Sequence, residues 1–471
     1  MEEYPWFKHY GKDVPYTLQP YPQRTMIDVV DESAQARPYR AVFFFQGGKL
    51  LYDDYVRFSN ALAVGLAAMG IKKGDRVAML LPNSPQMVIG FQGIWRAGAV
   101  AVPVDPLATE FELQHILKEI DPAAVIVLNP FYDIVKKMQA GTNIKTVIAT
   151  SIKDYMPANM SFVYTLTQER KNGGRVRLEQ GDVFFLDLIK KYKNAGRPYI
   201  DISPSDPAVI LFSGGTTGPA KGAVGTHQAL IITAMQVNAW LYPVIYEWDD
   251  GVMLSMPMFH ALGFAGALGI AMINHSSCIL IPNPLDWAEI IRSIKKYGPA
   301  VMMDIPHFYA NLLDHIKIKS GKANIKGLRI CISGADKLPV EVRERFQEVT
   351  GIGLIDNYSL TEAMEAPVMA PVPGAGKARS VGLPLPDVVV KLADTETGRT
   401  LGVGEPGEVY IKAPNLMSGY WKQPQETAST MADGWLRTGD IGYLDADGYL
   451  FLNGRKRDMV KAAGKITENK P

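Results

Sequence analysis

A glycine-rich segment with hydroxyl and lysine side chains carries the strongest chemical signal in the sequence. It directly follows an apolar stretch, 207–212, that is typical of a buried strand. Glycines let the backbone approach a ligand closely and leave amide N–H groups free, while Ser, Thr and Lys add hydroxyl groups and a positive charge. The segment therefore predicts a phosphate-holding loop with these candidate residues: Ser213, Gly214, Gly215, Thr216, Thr217, Gly218 and Lys221.

The order of residues in this loop differs from that of a P-loop. A P-loop ends in Gly-Lys-Ser/Thr, where the hydroxyl contacts magnesium, whereas Lys221 lies between Ala220 and Gly222. This order excludes a P-loop nucleoside triphosphatase (NTPase). An ordinary surface loop stays open as an alternative, because clusters of Gly, Ser, Thr and Pro usually mark loops and nothing more.

Three later segments, in a fixed order, also have residue types that suit a nucleotide site. They are 356–362 (DNYSLTE), 435–440 (WLRTGD) and 454–464 (GRKRDMVKAAG). Together with the glycine-rich loop, they resemble the motifs of the adenylate-forming acyl-CoA synthetases, a superfamily that also includes luciferases and the adenylation domains of peptide synthetases. Four spaced motifs in the right order are far more specific than one. The resemblance runs from about Pro5 to Gly464.

The resemblance implies ATP-dependent, AMP-forming activation of a carboxylic acid and transfer of the acyl group to coenzyme A. ATP and coenzyme A are the implied co-substrates and Mg²⁺ the implied metal, since the site must neutralise phosphate charge as pyrophosphate leaves. The opening Pro5-Trp6 and the insert 168–196 favour a medium- or long-chain fatty acid as substrate. Two alternatives stay open: an acyl-AMP ligase that delivers to a carrier protein, and a non-catalytic nucleotide- or acyl-binding member.

The segment 356–362 supplies three of the implied site residues. The resemblance implies that Tyr358 stacks on adenine, that the Thr361 hydroxyl contacts the α-phosphate and that Glu362 binds magnesium, with Thr216 as a second candidate ligand. Oxygen ligands suit this hard cation. The alternative for Thr361-Glu362 is an ordinary helix start, where a hydroxyl followed by acidic residues is common.

Other implied site residues lie in separate parts of the chain. Asp440 would accept hydrogen bonds from both ribose hydroxyls, and Arg455 would add a donor; a turn Asp and a solvated Arg are the alternatives. His260 matches a family position beside the acyl carboxylate and the α-phosphate, although a lone His is more often a core or cap residue. The family also lines adenine with backbone at the place of Ser333, Gly334 and Ala335.

Composition agrees with a large soluble enzyme that acts on small molecules. The chain has 471 residues, of which 47% are hydrophobic, and its 49 Lys and Arg nearly balance its 48 Asp and Glu. Nothing in this balance favours a nucleic-acid partner.

The start of the chain has no signal-peptide pattern, which predicts a cytoplasmic protein. The only two cysteines, Cys278 and Cys331, lie in apolar runs and are expected to be reduced core thiols, and no His or Cys pair has zinc-ligand spacing.

One uncharged stretch, 252–274, is long enough to suggest a membrane span. Pro257, His260 and several small residues interrupt it, so we expect a short strand over Val252–Met256 and a buried helix from about Leu262. A transmembrane segment is therefore not predicted. Peripheral membrane contact and a homodimer stay open.

The chain-wide pattern predicts an α/β fold with two αβ-layered subdomains of largely parallel sheets plus a small β-barrel subdomain, which is the large N-terminal domain of the adenylate-forming fold. Apolar runs at 76–81, 99–104 and 123–128 alternate with helical segments. The predicted division is 1–196 with an exposed connector at 168–196, 197–385 with the phosphate loop and adenine site, 386–455 for the barrel with a hairpin across 445–448, and 456–471. The last range is expected to be a hinge remnant without the small C-terminal domain of the family.

Overall fold

Our computed structural model describes residues 4–171, 173–213, 220–242, 244–316, 318–319, 322–323, 325, 327–372, 376–462 and 465–468, the segments 318–319, 322–323, 459–462 and 465–468 by their backbone only. Several helices begin where a capping side chain precedes an apolar helical pattern. Thr25 and Thr109 each open a capping box with an acidic residue three positions later, which satisfies backbone N–H groups at the helix start. The α-helices of the described residues are α1 (Met26–Ala36), α2 (Tyr52–Ala68), α3 (Pro85–Arg96), α4 (Glu110–Ile120), α5 (Tyr132–Gln139), α6 (Ala158–Thr167), α7 (Phe185–Lys191), α8 (His227–Leu241), α9 (Gly269–Ile273), α10 (Trp287–Tyr297), α11 (Pro306–His315), α12 (Val340–Thr350) and α13 (Pro424–Thr430).

Strands form at the apolar, β-branched runs between these helices. In chain order they are β1 (Ala41–Phe45), β2 (Gly48–Leu51), β3 (Arg76–Leu80), β4 (Val100–Pro103), β5 (Ala124–Leu128), β6 (Thr146–Thr150), β7 (Val183–Phe184), β8 (Pro207–Phe212), β9 (Gly222–Thr226), β10 (Gly251–Leu254), β11 (Ser277–Leu280), β12 (Val301–Asp304), β13 (Ile318–Lys319), β14 (Lys322–Ala323), β15 (Ile330–Ser333), β16 (Gly353–Leu360), β17 (Glu365–Met369), β18 (Leu383–Pro384), β19 (Val389–Ala393), β20 (Gly407–Lys412), β21 (Gly419–Tyr420), β22 (Met431–Ala432), β23 (Trp435–Leu444), β24 (Leu450–Arg455), β25 (Met459–Ala462) and β26 (Lys465–Glu468). Short 3₁₀ turns occur at Pro5–His9, Asn129–Phe131, Ile152–Tyr155, Thr361–Ala363 and Lys456–Asp458.

Two large, mainly parallel sheets form the body of the protein. The N-terminal sheet has the order β21-β9-β8-β4-β3-β5-β6-β7 and is parallel from β8 to β7. The central sheet has the order β18-β17-β16-β15-β12-β10-β11-β1-β2 and is parallel from β16 to β1. The predicted α/β class with largely parallel sheets is thus confirmed.

The membership of the two sheets does not follow the predicted boundary between residues 196 and 197. Strands β8, β9 and β21 join the N-terminal sheet, while the early hairpin β1–β2 joins the edge of the central sheet. The prediction of an exposed connector at 168–196 is also wrong in part. Within it, β7 extends the N-terminal sheet and α7 buries Phe185, Leu188 and Ile189. These apolar side chains have a core to pack against, which a solvated connector would lack.

A five-stranded antiparallel sheet follows the central sheet along the chain. Its order is β19-β20-β23-β22, with β24 paired to β23. The predicted hairpin across 445–448 is confirmed, because β23 and β24 pair from Leu444 with Leu450 to Asp440 with Arg455. In the described part of the chain these pairings leave the sheet open, so the predicted small barrel is a half-barrel.

The uncharged stretch 252–274 lies in the core and divides as predicted. It forms β10, a loop, a π-helix at Leu262–Leu268 and then α9. Gly263 is needed at the start of the π-helix, since a Cβ there would come within 2.4 Å of the Pro257 carbonyl oxygen. Among the described residues, no helix combines the length and hydrophobicity that crossing a bilayer requires. Cys278 and Cys331 are free and buried, as expected.

The carboxyl ends of the two sheets meet at Asn83, which follows β3. Its amide Nδ2 donates to the carbonyls of Leu254 and Met256 at 3.0 Å each, and its Oδ1 accepts from the Met258 N–H at 2.9 Å. These bonds attach the loop after β10 to the N-terminal sheet. The segments after β8, β10, β15 and β16, which carry several of the predicted site residues, begin at the carboxyl ends of these strands, where ligands of parallel α/β sheets usually bind.

Candidate active site

The base of the glycine-rich loop lies at the carboxyl end of β8. The Ser213 N–H donates to the Lys221 carbonyl at 3.0 Å, which closes the loop at its two described ends, and both residues are partly buried. The predicted residues between them, Gly214, Gly215, Thr216, Thr217 and Gly218, fall outside the described residues.

Lys221 and Glu362 are brought close by one aromatic side chain, Tyr420. The Tyr420 hydroxyl donates to Glu362 Oε1 at 2.6 Å, and Lys221 Nζ lies 5.3 Å from the centre of the Tyr420 ring. Lys221 also donates to the Glu426 carboxylate on α13. Tyr420 reaches this position because β21 pairs with β9 directly after the loop. The Lys221 ammonium group and the Glu362 carboxylate therefore both lie at Tyr420, the first near its ring and the second at its hydroxyl.

Glu362 lies on a single 3₁₀ turn, Thr361–Ala363, and no longer helix follows. Two hydrogen bonds to backbone carbonyls hold the turn. The Met417 N–H donates to the backbone carbonyl of Glu362 at 2.8 Å, and Asn415 Nδ2 donates to the backbone carbonyl of Ala363 at 3.0 Å. The alternative of an ordinary helix start is thus not what forms. In the described part of the chain, Thr361 Oγ1 and Glu362 Oε2 have no hydrogen-bond partner, so they stay available to a ligand.

Asp440 joins the half-barrel to the central sheet. The Tyr358 hydroxyl donates to its Oδ2, and Arg455 Nε lies 2.9 Å from its Oδ1 in an ion pair. Only 6% of Asp440 is exposed, and burial raises its pKa, with Glu362 and Glu408 adding to the rise and Arg455 and Tyr358 opposing it. Tyr358, Asp440 and Arg455 are therefore one contiguous cluster, as nucleotide recognition would require.

The carboxylates of Asp440 and Glu362 suit the ribose and the Mg²⁺ that the resemblance implies. A carboxylate has about four acceptor positions, and the contacts of Asp440 with Tyr358 and Arg455 use two of them. Ribose hydroxyls can use the rest once the half-exposed Arg455 side chain turns aside. For Mg²⁺, the described residues contain no cluster of three or more His, Cys, Asp or Glu side chains. One carboxylate, Glu362, together with substrate phosphates is the arrangement in which proteins usually hold this ion.

The segment Ser333-Gly334-Ala335 lies beside Tyr358 at the same sheet edge. The Gly334 N–H donates to the Asp304 oxygen at 3.1 Å, and the Ala335 N–H donates to Ser359 Oγ at 3.3 Å. A Cβ on Gly334 would come within 3.1 Å of the Asn357 side chain, so the glycine permits this close approach. Ser333 Oγ is buried without a partner among the described residues.

His260 lies at the end of the loop after β10. Its ring is exposed to solvent, yet enough protein surrounds it that burial lowers its pKa, with Asp105 opposing this effect. This combination is typical of a side chain in a cleft and keeps the imidazole neutral near pH 7. Within the described residues, no hydrogen bond joins His260 to Thr361, Glu362 or Asp440. His260 could therefore be connected to these residues only through a bound substrate.

Sequence reasoning did not select Tyr420, Glu426 or Asn415. All three lie between residues 415 and 426, in a segment with no glycine-rich or acidic motif. The one available signal was the aromatic pair Tyr420-Trp421 just before a Pro-started helix. Their positions depend on the pairing of β21 with β9, which the local pattern does not encode.

A buried carboxyl, Asp304, supports the loop that carries His260. Its Oδ2 accepts from Ser255 Oγ at 2.6 Å, its Oδ1 accepts from the Ile305 N–H at 2.9 Å, and only 3% of the residue is exposed. Burial raises its pKa from 3.8 to about 7, against the effect of these hydrogen bonds. The unfolded chain therefore releases this proton at lower pH than the folded chain does, and stability is lost as the pH rises from about 4 to about 7.

We expect Asp304→Asn to stabilise the protein at pH 8 and to change little at pH 4.5. The amide keeps one acceptor for Ile305 and can donate to Ser255, while it removes a buried charge, for a gain on the order of 2–4 kcal/mol at pH 8. Urea unfolding at both pH values measures the difference. Asp187→Asn, at a side chain that is 68% exposed, is the control. Equal effects of Asp304→Asn at both pH values would contradict the assignment.

Comparison with known proteins agrees with this fold and site. The AMP-binding enzyme family matches residues 30–421. The long-chain-fatty-acid–CoA ligase of Bacillus subtilis (strain 168) is 34% identical over 461 residues, which cover 98% of this chain and 81% of that protein. The probable 4-coumarate–CoA ligase 2 of Dictyostelium discoideum is 32% identical, with coverages of 86% and 71%. The crystal structure of ATP-bound MatB from Rhodopseudomonas palustris has a TM-score of 0.80 and 25% identity, and the match covers 95% of this chain and 82% of that chain. Because the family matches residues 30–421, which are most of the chain, the chain belongs to the AMP-binding enzymes, the adenylate-forming acyl-CoA ligases.

Proposed function

We propose that this protein activates a medium- or long-chain fatty acid with ATP and Mg²⁺ to an acyl-adenylate and then forms acyl-CoA. The observation that carries the proposal is that two clusters suited to the parts of a nucleotide are anchored at β16 and at the turn directly after it. Tyr358 on β16 joins Asp440 and Arg455 in the proposed sugar-and-base cluster. Glu362 on the turn joins Tyr420 and Lys221 in the proposed phosphate-and-metal cluster.

The proposed roles follow from charge and position. Asp440 accepts from ribose, Tyr358 lies against adenine beside the 333–335 segment, and the amides of the glycine-rich loop with Lys221 hold the leaving phosphates. Glu362 holds Mg²⁺, which neutralises phosphate charge when bound. The neutral imidazole of His260 can donate a hydrogen bond to the acyl carboxylate without needing to titrate near pH 7.

Apolar side chains on the π-helix that begins just after His260 support an apolar acyl substrate. The π-helix begins just after His260, and its Phe264 and Leu268 line a narrow apolar cavity together with Trp95 and Leu230. The cavity holds about one water molecule in this conformation, so an acyl chain must widen it. The Bacillus subtilis relative is named as a long-chain-fatty-acid–CoA ligase, which agrees with an apolar substrate.

The proposal is tested by fatty-acid-dependent pyrophosphate release from Mg-ATP, with C8, C12 and C16 acids and with 4-coumarate as the comparison acid. We expect release with at least one fatty acid, and an acyl-CoA product when coenzyme A is added. Acyl transfer to a carrier protein but never to coenzyme A would favour an acyl-AMP ligase. Binding of ATP without any acid-dependent pyrophosphate would favour a non-catalytic binding protein, and preference for 4-coumarate would exclude the fatty-acid assignment.

Lys221→Ala is expected to raise the KM for Mg-ATP by about 10- to 100-fold, since a charged hydrogen bond to phosphate is lost. Affinity for AMP should change little, because AMP lacks the β- and γ-phosphates. The partly exposed contact of Lys221 with Glu426 contributes little to stability. Initial rates and AMP titration measure the two effects, with Lys137→Ala on α5 as the control. Equal weakening of ATP and AMP would contradict a role on the leaving phosphates.

A further inference from the structure

Helix α6 (Ala158–Thr167) has an unusual surface. None of its residues is buried, and its sequence, ANMSFVYTLT, contains no charged residue. Four large apolar side chains are exposed on it: Met160 by 39%, Phe162 by 64%, Val163 by 51% and Leu166 by 69%. A surface helix of a soluble protein normally buries an apolar stripe and exposes charges. An apolar cluster of this kind marks an interaction site.

The helix is anchored although it buries nothing. Lys153 Nζ donates to Thr165 Oγ1 at 3.0 Å in the middle of α6 and lies 2.5 Å from Glu169 Oε1 just beyond its end. Arg175 Nε lies 3.3 Å from the other oxygen of Glu169. Despite its desolvation, these two cations lower the pKa of Glu169, so the buried carboxylate is ionised and neutralised. The apolar side chains are therefore presented by an ordered element.

Positively charged residues follow this apolar surface along the chain. The exposed side chains of Arg170, Lys171, Arg175 and Arg177 follow α6 directly. Residues 153–197 contain nine Lys and Arg but only five Asp and Glu, although the whole chain has a net charge of only +1. Lys153 and Arg175 pair with Glu169, whereas Arg170, Lys171 and Arg177 form no ion pair within the described residues. The net field at α6 therefore favours an anionic partner.

The position of α6 relates this surface to the proposed active site. It follows β6 at the carboxyl edge of the N-terminal sheet, the edge at which the glycine-rich loop follows β8. The order β8-β4-β3-β5-β6 separates the two by four strand spacings, or about 19 Å. A flat partner that contacts α6 would lie beside the edge that carries the active site.

We propose that α6 with Arg170, Lys171 and Arg177 is a docking surface for an anionic lipid bilayer. The uncharged helix lies in the plane of the interface with Phe162 and Leu166 inserted at the boundary between headgroups and acyl chains, and the three cations contact anionic headgroups. Its ten residues are too few to cross the bilayer. This proposal does not depend on the acyl substrate.

The test is sedimentation of the 471-residue chain with sucrose-loaded vesicles of phosphatidylcholine alone and of phosphatidylcholine with 30% phosphatidylglycerol. We expect binding to the anionic vesicles, weakened at 0.5 M NaCl because salt screens the cations. The double variant Phe162→Ser/Leu166→Ser should lower the partition coefficient by about 10- to 100-fold, and Arg170→Glu/Lys171→Glu by about tenfold. Circular dichroism and thermal unfolding check that each variant is folded.

The matched control is Tyr39→Ser/Val403→Ser, which removes two side chains that are 82% and 65% exposed away from α6. It should bind vesicles like the unchanged protein. The proposal is overturned if the unchanged protein does not bind anionic vesicles, or if the α6 variants bind as well as the control. It is also overturned if light scattering shows a dimer that Phe162→Ser/Leu166→Ser dissociates, because a second copy would then cover the helix.

Discussion

Replacing Asp440 with alanine is expected to weaken binding of ATP and AMP alike, by about 100-fold. Two hydrogen bonds from ribose hydroxyls to a carboxylate are lost, and each contributes about 1.5–3 kcal/mol when the acceptor is charged. The change also leaves the buried Tyr358 hydroxyl without its partner and removes the ion pair of the half-exposed Arg455, which lowers the stability of the fold. Calorimetric titration with AMP and with a non-hydrolysable ATP analogue measures both affinities.

A ligand without the ribose hydroxyls makes the Asp440 test specific. Dideoxy-AMP should bind the unchanged protein far more weakly than AMP does, while Asp440→Ala should hardly distinguish the two ligands. This double comparison isolates the pairwise interaction from any general disturbance of the half-barrel. Asp440→Asn, which keeps one acceptor oxygen, should lie between the two proteins. If Asp440→Ala still prefers AMP by the full factor, ribose binds elsewhere.

Glu362→Gln is expected to slow pyrophosphate release by about 10²–10³-fold while AMP affinity stays unchanged. The amide keeps an acceptor for the Tyr420 hydroxyl, so the turn at 361–363 should hold its shape. It removes the negative charge that a magnesium ligand requires, and charge neutralisation of the transferring phosphate is the main catalytic demand of this reaction. The Mg²⁺ concentration for half-maximal rate should rise.

Glu426→Gln is the matched control for Glu362→Gln. Glu426 contacts Lys221 in the same part of the site but is partly exposed and is not proposed to hold the metal. Its substitution should change the rate by less than about tenfold, as loss of an exposed ion pair has a small effect. An unchanged Mg²⁺ dependence of Glu362→Gln, or equal effects of the two substitutions, would remove Glu362 from the metal role.

Sequence alone determined the class of the fold and the kind of chemistry. The apolar runs that became β3, β4 and β5 were recognisable because a strand that is buried on both faces needs a continuous apolar sequence. The turn at 445–448 was recognisable because its Asp and Gly suit a tight hairpin. The glycine-rich loop and the segments with Glu362 and Asp440 carried the resemblance to the adenylate-forming synthetases, from which their roles toward phosphate, metal and sugar are proposed.

Only the tertiary structure decided which of these side chains meet and what supports them. Tyr358 and Asp440 are 82 residues apart in sequence, Tyr420 and Glu362 are 58 apart, and Lys221 and Glu426 are 205 apart. Such contacts depend on long-range strand pairing, as does the assignment of β1, β2, β8 and β9 to sheets that cross the predicted boundary at 196. The physical reason is that local periodicity reports which face of an element is buried, whereas the partner of that face is selected by packing over the whole chain.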